Sequence, residues 1–145
     1  MKLVIKFSFF FILLFFLSTV SSATNNIVDP IKKRQIVMLK IQKTIQSTYK
    51  QIVLNQNTDN LSEYADTIKI NAKNFTELFP DNSRGGEASS EVWNNSELFL
   101  EYQEQFISDI NIFRESIISN DLEIIQYSFN QMTKNCGGCH RKFKD

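Results

Sequence analysis

Reactive side chains are scarce in this sequence: two Cys and one His stand among 145 residues, with two Pro, four Gly and one Trp. So few Cys exclude a disulfide-rich scaffold. With one His and two Cys, a four-ligand zinc site has too few donors of the usual kind. Sixteen basic residues balance 16 acidic ones, and no basic stripe marks the chain for nucleic acid. Only one long apolar run occurs, and it lies at the N-terminus. Lys2 and Lys6 precede the run from Phe7 to Leu17, and small residues at Ser21 and Ala23 follow. This is the order of a secretory signal peptide, expected as residues 1–23 with cleavage near Ala23. The run is about half the ~20 residues that a spanning helix needs, so no membrane insertion is expected after cleavage. Residues 24–145 then form one domain, and loss of Lys2 and Lys6 takes the balanced chain to a net charge of about −2.

Apolar residues recur at helical spacing throughout that domain. Asp29 before Pro30 reads as a cap and first helical residue, opening a helix to about residue 54. Asn60 with Glu63 resembles a capping box for a second helix, which carries Tyr64, Ile68, Phe75 and Phe79 on one face. Pro80 starts a loop with two adjacent Gly and three Ser, closed by Trp93. A third helix from about Asn95 presents Phe99, Tyr102, Phe106 and Phe113. A fourth is expected to start at Asn120, with Glu123 completing its cap, and to carry Phe129 and Met132. Short, long and short connections between four amphipathic helices predict an all-α antiparallel four-helix bundle.

The scarce residues are concentrated. Both Cys and the sole His fall in Cys136-Gly137-Gly138-Cys139-His140, the C-x-x-C-H signature of covalent c-type haem attachment. Two thiols at this spacing can each add to a vinyl group of one porphyrin, and the next residue offers its imidazole to the iron. Gly137 and Gly138 present no side chain to the ring. Three alternatives stand beside this reading: a redox-active Cys pair, which is expected in a βαβ setting, a zinc site short of ligands, and a plain structural disulfide that leaves His140 without a role. Export agrees with haem attachment, and the expected location is the periplasm.

The terminal motif, together with Arg34-Gln35 and Met38 in the first helix and the passage from Gly85-Gly86-Glu87 to Glu91-Val92-Trp93, resembles the class II c-type cytochromes, the cytochrome c′ family. The likeness covers nearly the whole mature chain. It implies a four-helix bundle with one haem c attached near the C-terminus through Cys136 and Cys139, and His140 as axial ligand. It implies that Arg34, with Gln35, approaches the haem propionates and that Trp93 packs near the haem edge. Met38, four residues after Arg34, takes the position facing the distal side of the iron, where low-spin members place a coordinating Met and gas-binding members a noncoordinating side chain. Where many members have an aromatic and then Arg after the attachment His, this chain has Phe143 and Lys144, which exchanges a planar fork for a point charge. Arg141, Lys142 and Lys144 form a basic cluster suited to an acidic redox partner or to a helix C-terminus. Many members are homodimers through their first two helices. The expected activity is electron transfer by the haem iron in the periplasm, without enzymatic turnover; binding of nitric oxide or carbon monoxide by five-coordinate iron is the alternative.

Overall fold

Helix α1, Pro30–Tyr49, begins where the Asp29 carboxylate accepts from the Ile31 N–H at 3.0 Å, and Pro30 occupies the first turn, where a missing N–H costs nothing. The computed structural model describes residues 29–145, so the expected signal peptide lies outside the described residues. α1 does not run to residue 54 as a regular helix. It widens after Tyr49 into a π turn, Lys50–Leu54, in which Asn55 N–H reaches back to Lys50 O. The Ile52 carbonyl accepts from the Gln126 side-chain amide at 2.9 Å. A wider turn thus ties the end of the first helix to the last.

Four further helices follow: α2, Leu61–Thr76; α3, the single turn Glu91–Asn94; α4, Ser96–Ile118; and α5, Leu122–Phe143. One expected cap keeps its position without its side-chain bond, and the other shifts by one residue. Asn60 has a positive φ of 60° and makes no capping hydrogen bond with its side chain, because an Asn here supplies the left-handed turn that enters α2. Asn120 also has positive φ. The cap of α5 is Asp121, whose carboxylate accepts from Glu123 N–H at 2.9 Å and Ile124 N–H at 3.3 Å. α2 ends at Thr76, earlier than Phe79, and the Thr76 hydroxyl bonds back to Lys73 O.

The main core is mostly aliphatic: Ile52, Leu61, Ile68, Ile110, Ile125 and Met132 are completely buried, with Phe113 the largest side chain among them, each contributing roughly 1.5–3 kcal/mol. A second cluster, mostly aromatic, fills the end of the bundle that holds the C-terminus. It runs Phe75–Phe79–Phe99–Phe143–Tyr102 by edge-to-face contacts with centroids 4.8–5.5 Å apart. Three sides of the bundle are packed along their length, α1 on α2, α2 on α4 and α4 on α5. The fourth side, between α1 and α5, is closed only where the π turn meets α5. A groove of about 490 Å³ lies in this seam beside the π turn, with Ile45 and Tyr49 on one wall and Phe129 and Thr133 on the other.

Candidate haem site

Helix α5 carries residues 136–140 into its final turns. Cys136 and Cys139 are half-buried and unpaired, so the structure offers no disulfide in support of the two disulfide alternatives. Among the described residues no three His, Cys, Asp or Glu side chains converge as a metal-ion site. Burial raises both thiols, Cys139 to about 11 with Cys136 adding to the effect, and both stay protonated at neutral pH. His140, an exposed residue, is shifted the other way, first by partial desolvation and then by Lys144, with Glu87 opposing. A neutral imidazole is the form that ligates a metal.

The two glycines between the thiols are not explained by packing within the chain. A Cβ at Gly138 would meet Tyr102 at an ordinary 3.5 Å, and one at Gly137 would meet only the flexible end of Arg141 at 3.3 Å. Each glycine nevertheless costs a helix about 1 kcal/mol relative to Ala. A bare strip between two thiols suits a flat group lying against α5.

Arg34 is 6 % exposed on α1. Its Nη2 donates to Ser83 O at 2.7 Å and Gly85 O at 3.2 Å, and its guanidinium lies 4.7 Å from the Phe79 ring centroid and 5.6 Å from that of Trp93. Nη1 is buried with no partner. Burial lowers its pKa, opposed by Asp29, but a guanidinium remains charged. A buried cation with a free donor fits a carboxylate such as a haem propionate. Gln35, one position on, is exposed to solvent. Met38 is half-buried one turn beyond Arg34 and belongs to neither hydrophobic cluster. Trp93 closes the loop after Pro80, its indole N–H donating to Phe79 O and Pro80 O at 3.2 and 3.3 Å.

That loop also grips the C-terminus. Ser89 N–H donates to Phe143 O and Asp145 N–H to Glu87 O, Ala88 and Lys144 form an antiparallel bridge, and Lys144 Nζ lies 3.1 Å from Glu87. Lys142 lies 4.0 Å from Glu91. Two members of the expected basic cluster therefore face acidic residues. Gly86 makes the grip possible on the other side: its φ is +70°, and a Cβ there would come 2.8 Å from Ile31 of α1. Sequence reasoning identified the loop but not its pairing with residues 143–145, since nothing local links Glu87 to Lys144. Phe99 and Tyr102 were expected only as core positions, whereas they pack against the cluster that includes Cys139.

Comparison with known proteins agrees with this arrangement. The family model described as Cytochrome C′ matches residues 29–144. Recombinant native cytochrome c prime from Alcaligenes xylosoxidans superposes with a TM-score of 0.75 at 18% identity, over 81% of this chain and 94% of that one. A nitric oxide complex of a single-residue variant of that protein gives a TM-score of 0.74, 18% identity and coverage of 80% and 94%. Its ferrous arginine-to-lysine variant with bound NO gives 0.75, 19% identity and coverage of 81% and 94%. Among curated proteins no sequence match was found. At these identities the solved structures establish the four-helix fold, while the family match spans almost every described residue: the chain belongs to the cytochrome c′ family.

Proposed function

We propose that this chain is an exported, periplasmic c-type cytochrome that carries one covalent haem and transfers single electrons. The observation that carries the reading is the unpaired thiol pair followed by an imidazole on the last turns of α5, at the end of the bundle where Arg34 keeps a buried donor free. Cys136 and Cys139 would hold the haem covalently, each thiol adding across one vinyl double bond with its hydrogen passing to the other carbon, so that the addition would need no oxidant. Haem supplies an iron centre that exchanges one electron or binds a diatomic gas, with a potential set by its ligands and surroundings. His140 would hold the iron through its neutral imidazole. Arg34 binds a propionate and holds it at the bundle end, and the aromatic cluster around Phe99 and Phe143 excludes water. Met38, which belongs to neither cluster, would supply a thioether to the same iron, a ligand type that raises the potential and suits electron transfer.

The second reading is binding of nitric oxide or carbon monoxide at five-coordinate iron. It is favoured by the solved proteins of this fold that hold nitric oxide. In both readings the chain binds or transfers and does not turn over a substrate.

Absorption spectra of the purified holoprotein, oxidised, reduced and under carbon monoxide, decide between the two. A low-spin spectrum that becomes high-spin in Met38→Ala supports electron transfer. A high-spin ferrous spectrum in the native protein, shifting fully with carbon monoxide, assigns gas binding. Release of all haem by acidified acetone would refute covalent attachment.

A further inference from the structure

Three buried side-chain polar atoms lack a partner among the described residues: Arg34 Nη1, Ser89 Oγ and Gln103 Nε2. Arg34 is accounted for by a propionate, and Ser89 sits in the loop that grips the C-terminus. Gln103 belongs to α4 and is 9 % exposed; of the buried polar residues on that helix, Asp109 and Ser116 have hydrogen-bond partners on α5, while the Gln103 amide nitrogen has none. A buried amide is costly unless something accepts from it.

Its place in the bundle is set by the pairing of α4 with α5. Ser116 and Ser128 share a hydrogen bond of 2.6 Å, and Asn135 donates to Asp109. Six residues from Asp109 toward the start of α4 is Gln103; six residues on from Asn135 is Arg141, next to His140. Tyr102, beside Gln103, packs on Phe143 at 5.5 Å and stands against Gly138. On the other flank, Phe99 lies one turn before Gln103 and stacks on Phe79, the ring beneath the Arg34 guanidinium. Gln103 is thus level with the attachment motif and one turn from Phe99, which packs on the Phe79 ring under Arg34.

We infer that the Gln103 side-chain amide donates a hydrogen bond to a haem propionate carboxylate, as a second propionate anchor that acts from α4 while Arg34 acts from α1. This rests on the haem reading above. A carboxylate has about four lone-pair sites, so one group can serve several converging donors. The unpartnered donors all lie at one end of the bundle, which suits an anionic edge better than a single diatomic molecule at the iron. With Gln103, the propionates are held from two helices, and the donor offsets negative charge near the iron.

The test uses the holoprotein with its haem content first confirmed by the pyridine haemochrome spectrum, so that failure of the haem reading registers separately. In Gln103→Met, which keeps length and removes both N–H groups, the propionate bending band in the resonance Raman spectrum shifts to lower frequency. The midpoint potential falls, because an uncompensated carboxylate favours the ferric state, and the spin state is unchanged. In the native ferrous carbon monoxide complex, a Gln103 amide proton shows a ring-current shift and slow exchange by NMR, a readout that needs no variant. An unshifted propionate band with an unchanged potential overturns the proposal, as does a change confined to the C–O stretching frequency, which would place the donor at the iron-bound gas. An unshifted Gln103 amide resonance overturns it as well, even if the variant fails to fold.

Discussion

Arg34 and Ser83, 49 residues apart, are joined by a 2.7 Å hydrogen bond from guanidinium to backbone carbonyl that lies wholly inside the protein. The bond fastens the loop after Pro80 to the first helix and leaves Nη1 as the free donor of a buried cation. Hydrogen bonds to charged groups contribute about 1.5–3 kcal/mol each. Replacement Arg34→Met, which retains the aliphatic packing on Phe79 and Trp93, is expected to lower holoprotein stability by about 2–3 kcal/mol in denaturant titration. Arg34→Lys, with a point charge that cannot serve Ser83, Gly85 and a carboxylate in one plane, recovers only part of that loss.

Alanine at two glycines should act in opposite directions. Gly86→Ala meets Ile31 at 2.8 Å with φ at +70°, a strain of about 1–3 kcal/mol, and should lower the melting temperature. Gly137→Ala meets only the end of Arg141, and it gains about 1 kcal/mol of helix propensity. The expected outcome is a haem-free chain at least as helical as the native one, by circular dichroism, with a smaller fraction of chains carrying covalent haem. Full haem incorporation in Gly137→Ala would show that the bare strip is not needed by the ring.

The helix entries separate in the same way. Asp121→Ala removes the acceptor for two N–H groups and should cost about 1 kcal/mol. Asn60→Gly is expected to stabilise by up to about 1 kcal/mol, since the left-handed turn suits glycine and no side-chain cap is lost. Chemical denaturation of the two single variants measures both signs.

Thiol chemistry carries a pH signature in the folded, haem-free chain. Cys139 is raised to about 11 from 9.0, chiefly by burial and further by Cys136, so the folded state holds its proton more tightly than the unfolded state. The corresponding stability is fully present below pH 9 and is lost as pH rises from about 9 to 11. Alkylation by iodoacetamide should be slow at pH 8 and accelerate across that window, and urea-unfolded chain should react readily already near pH 9. Equal rates for folded and unfolded chain at pH 8 would contradict the burial of these thiols.

Helix order and the attachment motif were legible because each rests on local spacing. The stripe through Ile41, Ile45 and Ile52, and that through Phe99, Phe106 and Phe113, have the period that places them on one face of a helix. Asp29 before Pro30 signals a helix start through bonds that span two residues. Asn60 does stand at the N-cap of α2, as its spacing to Glu63 implies, but in a left-handed turn without a side-chain bond, whereas at the last helix Asn120 takes the left-handed turn and Asp121 the cap. The π turn after Tyr49 was hidden because its freed carbonyl is satisfied by Gln126, 74 residues away from Ile52.

The site divides along the same line. Cys136, Cys139 and His140 share one segment, so their spacing alone carries the haem-attachment signature, and the sequence by itself determined the helical class and where that signature falls. Tertiary structure decided what surrounds it: the burial of Arg34 beneath Ser83 and Gly85, the exposure of Gln35 beside it, the grip of Glu87–Ser89 on Phe143–Asp145, and the unpartnered amide of Gln103. Each depends on which elements meet across the bundle. The splay of α1 from α5 opens one side of it while the other three stay closed, because packing energy is a property of facing surfaces and not of any one helix.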